Sequence, residues 1–316
     1  MHVIEPSVDE MFLAREMCAL CGSKERSVHI NFRDLPVMRC DRCGFLYSGK
    51  IMSEAGLRRY YEGSFGGERH LHGQAVNARM NAVALRYLVD LKNIRSWLDI
   101  GTGYGFLLKW LREKHNIVTE GVELSAQEAR FSQEKFGLCV HENSLSEATL
   151  SADYYDVVSC FEVIEHIPNP VAFVSELFER VRPGGQLLIM TDNFASKPVQ
   201  TMRGRFPKWI PHTHISHFTP NSLQDCLSKV SGLTIEKAAS FTPLDMLARQ
   251  ILSMVRPPLN DDDAFNLEAE MSSEMSGKYR FYVLRYLINP IWTSLNIRPN
   301  LDHGTLMYAL CRKAEG

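Results

Sequence analysis

Three groups of residues in this chain have the types and spacing that chemistry needs. Cys18-Ala-Leu-Cys21 and Cys40-Asp-Arg-Cys43 are two Cys-x-x-Cys pairs separated by 18 residues. Two intervening residues let one tight turn aim both sulfurs at a single tetrahedral ion. The glycine after each pair, Gly22 and Gly44, permits the left-handed backbone that turns amides toward the sulfurs. Cys18, Cys21, Cys40 and Cys43 are therefore expected to hold a structural zinc ion as a four-thiolate ribbon. The second group is Asp99-Ile100-Gly101-Thr102-Gly103-Tyr104-Gly105, a loop whose glycines let backbone approach a ligand closely. Its G-x-G-x-G spacing differs from the G-x-G-x-x-G of dinucleotide sites and points to another nucleoside ligand. The third group is histidine: His166, then His212, His214 and His217 within one short segment. An imidazole titrates near neutrality, so a well-placed histidine can take a proton from an acceptor. The last three could instead form a second metal site.

The elements that must position these groups follow from hydrophobic periodicity. Residues 96–100 form a compact apolar strand ending at the glycine loop, and Phe106 to Leu111 begin a helix. A strand at 119–123 ends in Glu123, where a carboxylate can accept both ribose hydroxyls. Helix 126–136, strand 138–141 and strand 155–160 follow. Asn169 and Pro170 then open a helix whose Val171, Val174, Leu177, Phe178 and Val181 make one apolar stripe. Arg182-Pro-Gly-Gly185 turns the chain into strand 186–191, and 305–310 reads as a last strand. Strands separated by single helices build a parallel sheet covered on both faces, and ligands bind outside the carboxyl ends of its strands. The Asn221/Ser222 turn is expected to start a helix that pins the loop of His214.

The stretch from Trp97 to Met190 resembles the class I S-adenosylmethionine-dependent methyltransferases. Its first motif is similar to Leu98-Asp-Ile-Gly-Thr-Gly-Tyr-Gly105, its fourth-strand motif to residues 155–167 with Glu165-His166-Ile167, and its turn to Arg182-Pro-Gly-Gly185. The resemblance implies a Rossmann-like doubly wound α/β sheet and S-adenosyl-L-methionine as cofactor. Asp99, Gly101 and Gly103 would lie at the methionine part, Glu123 and Leu124 at the ribose, Ser144 and Leu145 at the adenine, and Phe161 in the pocket wall. Many relatives have Asp at the position of Ser144. The ribbon, a tyrosine-rich connector with Tyr60 and Tyr61, the Glu-His-Ile loop and His214-x-x-His217-Phe-Thr219 also resemble sugar C-methyltransferases and methyltransferases of polysaccharide clusters. That resemblance implies acceptor-site roles for His166 and His214. Thr213 and Pro211 stand where the sugar enzymes have Glu and Tyr.

Composition narrows the partner. Of 316 residues, 45% are hydrophobic and 23% charged, ordinary globular usage. Lys and Arg total 35 against 37 Asp and Glu, a formal charge of -2 that offers no footprint for nucleic acid. The first fifty residues, with seven of each sign, argue the same for the ribbon. A small-molecule acceptor is expected, with a sugar, nucleotide sugar or glycoside first. An RNA-modifying methyltransferase and a non-catalytic cofactor-binding interaction protein are the alternatives. No apolar run reaches the roughly 18 residues of a membrane span. No secretory leader is read at the start, and Cys139, Cys160, Cys226 and Cys311 are scattered among apolar neighbours as reduced thiols, so a cytoplasmic protein is expected. The expected organisation is a zinc ribbon over 1–50, a helical connector over 51–95, and a methyltransferase domain over 96–316. A helical insertion at about 243–296, read as a lid, interrupts that domain.

Overall fold

The computed structural model of the protein describes residues 12–32, 35–53, 56, 68–255 and 282–315. Tyr60, Tyr61 and the acidic run 261–263 of the expected insertion lie outside the described residues. The chain opens with β1 (Phe12–Ala14), β2 (Arg26–Phe32), β3 (Leu35–Cys40), β4 (Leu46–Ser48) and β5 (Lys50–Met52). β2, β3 and β4 form an antiparallel meander, and β1 pairs with β5 beside it. Two matching turns bracket the β2–β3 pair, one before β2 and one after β3. Gly22 N donates to Cys18 O at 2.9 Å and Gly44 N to Cys40 O at 2.8 Å. Their φ values of +71° and +74° lie in the left-handed region that glycine adopts without strain.

Helix α1 (Glu68–Leu88) then leads into a seven-stranded sheet. Its elements are β6 (Ser96–Ile100), α2 (Phe106–His115), β7 (Val118–Glu123), α3 (Ala126–Phe136), β8 (Cys139–Glu142), β9 (Tyr155–Phe161), α4 (Pro170–Arg180) and β10 (Val181–Asp192). After α5 (Lys197–Met202) come β11 (Ser216–His217), α6 (Pro220–Ser228), β12 (Leu233–Phe241), α7 (Leu244–Met254), α8 (Tyr282–Asn296) and β13 (Leu306–Lys313). The strand order is β12-β13-β10-β9-β6-β7-β8. β13 is antiparallel to both neighbours, whereas the remaining strands share one direction. The sheet is thus mixed, where the strand–helix rhythm alone implied a parallel one.

Alternation along each strand divides the core into two layers. Leu98, Val158, Leu187, Ile189 and Met307 face α4, α6 and the cysteine turns. Trp97, Val157, Leu188, Met190 and Tyr308 face α1, α2 and α3. Two elements differ from the sequence expectation. β12 has polar Thr234, Glu236 and Lys237 along an exposed edge, so no apolar run announces it. The cap of α6 is Thr219, not Asn221 or Ser222. The Thr219 side chain accepts from Ser222 N and Ser222 Oγ accepts from Thr219 N, a reciprocal box. Among the described residues, no helix is long and apolar enough to cross a membrane.

The N-terminal sheet does not stop at the cysteine segment. β11 hydrogen-bonds to β4 through the pairs Ser216 with Tyr47 and His217 with Leu46. Arg15, 8% exposed, runs through the same junction. Its guanidinium donates to Ile215 O at 2.7 Å and Pro168 O at 2.8 Å and lies over the Tyr47 ring. One side chain thereby satisfies carbonyls from both loops at the carboxyl edge of the sheet. Arg15→Met should strand those carbonyls and lower the unfolding free energy by about 2–4 kcal/mol, read by urea denaturation. A loss under about 0.5 kcal/mol would mean that the junction holds without it.

Candidate active site

The glycine loop closes over the end of β6. Gly101 N and Thr102 N donate to Val122 O, and Gly103 N donates to Glu123 Oε2 at 2.8 Å. Ser125 N donates to the other Glu123 oxygen at 2.8 Å. Gly101 has φ +74°, and a Cβ there would stand 2.4 Å from Val163 Cγ2, so only glycine fits this turn. Beneath the loop Asp99 is 3% exposed and accepts from Ser159 Oγ at 2.5 Å, while Trp97 Nε1 donates to the same hydroxyl. Burial pushes the Asp99 carboxyl up to about 7. Burial, with Glu128 nearby, pushes Glu123 to about 7. Leu124 beside it is exposed, Leu145 is buried, and Ser144 Oγ donates to Glu147 at 2.8 Å. Phe161 ends β9 and its ring lies 6.4 Å from that of Tyr308.

Sequence reasoning missed the roof of this loop. Gln74 on α1 accepts from Tyr104 N at 2.8 Å and donates to Glu128 Oε2 at 2.9 Å. Nothing local to 68–88 announces this, because α1 meets the loop only through the fold.

Next to the cradle, the loops after β9 and β10 bring the two expected histidines together. The His166 and His214 rings are perpendicular with centroids 4.7 Å apart. His166 Nδ1 lies 3.0 Å from Thr213 O, and a carbonyl only accepts. Nδ1 therefore carries the proton and Nε2 is left bare. Burial lowers His166 to about 4 despite that bond, and lowers His214 well below the usual imidazole range with His166 adding to the effect. Both rings are neutral at pH 7. His214 Nδ1 lies 4.0 Å from Asp192 Oδ2, a buried oxygen with no hydrogen-bond partner. Glu165, fully buried, accepts from Thr191 Oγ1 at 2.9 Å and is raised to about 8 by burial and by Asp192. His212, His214 and His217 do not converge on one point. His217 packs against the rings of Phe194 and Trp209, with centroids at 4.7 and 4.9 Å.

A cavity of about 100 Å³ lies against Asp192; its lining includes Asn77, Glu162, Asp192, Lys208, Met246 and Asn289, and neither His166 nor His214 is part of it. Helices α7 and α8 contribute Asp245, Met246 and Asn289 to its lining. Asp192 could have been found in the sequence as a polar residue ending an apolar strand at the ligand-binding edge. Lys208 has no local signal.

The four ribbon thiols have sulfurs that all lie within 4.8 Å of one another. Cys18 to Cys43 and Cys21 to Cys40 are each 3.5 Å. Zinc–thiolate bonds of about 2.3 Å imply sulfur–sulfur edges of about 3.8 Å in a tetrahedron, so the cluster suits such an ion.

The strand order, the glycine turn ending β6 and the acidic residue ending β7 define the class I S-adenosylmethionine-dependent methyltransferase fold. The chain belongs to a family described as a methyltransferase domain, which matches residues 72–238. It is similar to a ubiquinone biosynthesis O-methyltransferase of Hydrogenovibrio crunogenus, 27% identical over 186 residues, 52% of this chain and 75% of that one. A protein of the same name from Aeromonas salmonicida is 30% identical over 173 residues, 50% and 71% of the two chains. The chain spans about half, 51%, of the Coxiella burnetii protein of that name. Among solved structures, a methyltransferase described as a possible histamine N-methyltransferase from Thermotoga maritima aligns with TM-score 0.50 and 15% identity. The alignment covers 82% of this chain and 95% of that one and shows the shared fold.

The buried acids and histidines pull stability in opposite directions with pH. Asp99 at about 7, Asp192 at about 7 and Glu165 at about 8 are raised above their unfolded values. What they contribute is complete below pH ~4 and is lost as pH rises through the folded values. His166 and His212 at about 4 and His217 at about 3 are depressed, so their contribution is lost as pH falls below ~6.5. Above pH ~6.5 the histidines' opposing share fades as their unfolded-state titration ends, and up to pH ~8 the raised acids dominate, so unfolding free energy should fall as pH rises. Glu165→Gln should flatten that slope in denaturant titrations at several pH values. An unchanged slope would place the titration elsewhere.

Proposed function

We propose that this methyltransferase acts on a hydroxyl of a small acceptor, with a sugar or sugar-containing metabolite, such as a nucleotide sugar or glycoside, as the acceptor class. One observation carries the reading: a neutral His214 packs against the His166 ring and lies 4.0 Å from the unpartnered oxygen of Asp192, a residue that lines the cavity. In this reading Asp99, Gly101 and Gly103 receive the methionine portion of the cofactor, Glu123 and Leu124 the ribose, Ser144 and Leu145 the adenine, and Phe161 walls the pocket. S-adenosylmethionine supplies an electrophilic methyl on a sulfonium. His214 takes the hydroxyl proton, and Asp192 faces the imidazolium that results. His166, with its bare Nε2, accepts from a second donor of the acceptor and so orients it. The names of the O-methyltransferase relatives support oxygen as the accepting atom. The resemblance of the two histidine segments to sugar C-methyltransferases supports the sugar, and favours sugar carbon as the second reading with the same base.

The ribbon, in the same reading, is a zinc-bound scaffold for the loop of His214. Metal analysis of the purified protein should find about one zinc per chain, absent from Cys40→Ser, whose ribbon should lose its fold because small ribbons draw folding energy from the ion. Carefully prepared protein without zinc would remove this part.

The acceptor is found by incubating a panel of nucleotide sugars and glycosides with methyl-labelled cofactor and locating the methyl by mass spectrometry and NMR. An O–CH3 bond supports the first reading and a C–CH3 bond the second. With that acceptor, His214→Ala should lower turnover by about 10² or more while S-adenosylhomocysteine affinity stays within about twofold, since a base acts on the acceptor's proton. Wild-type turnover in this variant, where chemistry limits the rate, would move the base to His166.

A further inference from the structure

Three carboxylates converge where β9 and β10 end. Glu162, Glu165 and Asp192 each bring an oxygen within 4.8 Å of the others. Glu165 and Asp192 are 0% and 1% exposed, and Glu165 Oε1 and Asp192 Oδ2 have no hydrogen-bond partner. Protonation relieves part of this crowding, since burial and Asp192 push Glu165 up to about 8, and the charge that remains on Glu162 and Asp192 in a low dielectric needs a cation. A set of hard oxygen donors ordinarily receives a divalent one.

Here the chain provides the cation itself. Lys208 Nζ donates to Glu162 Oε1 and lies 4.0 Å from Asp192 Oδ2. Asn77 Nδ2 donates to the second Glu162 oxygen at 2.9 Å, so that carboxylate is held from both sides. Glu162 also has φ +54°, a left-handed conformation that a non-glycine residue keeps only where its surroundings over-determine it. An ammonium is compact and brings three N–H donors, of which Glu162 takes one. The remaining face of the cluster, with Asn77, Lys208 and Asn289, lines the cavity.

We propose that the Lys208 ammonium takes the place of a divalent ion in the Glu162/Glu165/Asp192 cluster. The cavity then works without a bound metal, and removing the lysine uncovers a divalent-cation site. Calling the cavity an acceptor site rests on the methyl-transfer reading. On that reading the acceptor meets N–H donors where a metal would offer open coordination positions.

The test is Mn2+ binding to the full-length protein with its ribbon metal in place, followed by electron paramagnetic resonance and isothermal titration, with no acceptor or methyl donor present. Its outcome is therefore independent of the methyl-transfer reading. Lys208→Met should bind about one Mn2+ per chain at least ~10-fold more tightly than the wild type, and the added Asp192→Asn substitution should abolish the gain. Lys208→Arg should stay like the wild type. Two results overturn the proposal: wild-type protein that binds Mn2+ and loses it in Asp192→Asn, or folded Lys208→Met that binds no better than the wild type. Should Lys208→Met not fold, Lys208→Gln carries the same expectation. If neither folds alone, Mn2+ present during refolding should restore them, and failure to restore them also overturns the proposal.

Discussion

The short ladder between β4 and β11 is the constraint on which the rest of the site depends. Ser48 N donates to Ile215 O at 3.0 Å, Ser48 Oγ donates to His214 O at 3.3 Å, and Ile215 N donates to Glu165 O at 2.9 Å. The backbone on either side of His214 is therefore divided between the ribbon and the loop after β9. A two-residue strand has too few bonds to hold itself, and its burial leaves no water to satisfy those groups. Strand β4 of the N-terminal sheet provides the missing edge. Because successive side chains in a strand alternate, the same ladder sends His217 into the Phe194 and Trp209 rings, while Ser216 Oγ donates to Ile167 O. Ribbon, Glu-His-Ile loop and histidine segment are in this sense one construction.

Around that ladder the electrostatics follow from burial more than from any ion pair. His166, His212 and His217 are held neutral, and Asp99, Glu123, Glu165 and Asp192 are raised toward neutrality. At Lys208 burial opposes the charge, but Glu162 and Asp192 outweigh it and the ammonium is held above its usual range. Glu162 follows in the opposite direction, with burial overcome by Lys208 and its carboxyl lowered. The result is a set of buried histidines and acids beside one ion pair, Lys208 with Glu162, whose side chains stay 30% and 22% exposed. Such a setting suits a reaction that moves a methyl group off a sulfonium, since charge is dispersed as the bond forms and a low dielectric favours that.

Much of the architecture was readable from local pattern. Asn169 with Pro170 opened α4, and the apolar runs of β6, β9 and β10 appeared as strands. The exceptions have physical causes. β12 sits at an edge with one polar side, so its composition looks like a loop. The direction of β13 cannot be read from its apolar run, because alternation is the same whichever way a strand points. β11 is strand only because β4 lies beside it.

By itself, the sequence determined the features whose cause lies within a few residues. These are the paired cysteines with Gly22 and Gly44, the left-handed turn at Gly101, and the apolar periodicities that specify an α/β sheet with a glycine turn at the end of its first strand. Tertiary structure alone decided which distant groups share one point. Gln74 and Tyr104 are 30 residues apart, Lys208 and Glu162 are 46, and Arg15 and Ile215 are 200. Such pairings depend on how two packed layers bring loop ends together, and neither hydrophobic period nor turn chemistry encodes that over such separations. The reason is that side-chain pairing at a sheet's carboxyl edge is settled after the backbone is placed, by which buried charge finds a counter-charge within reach.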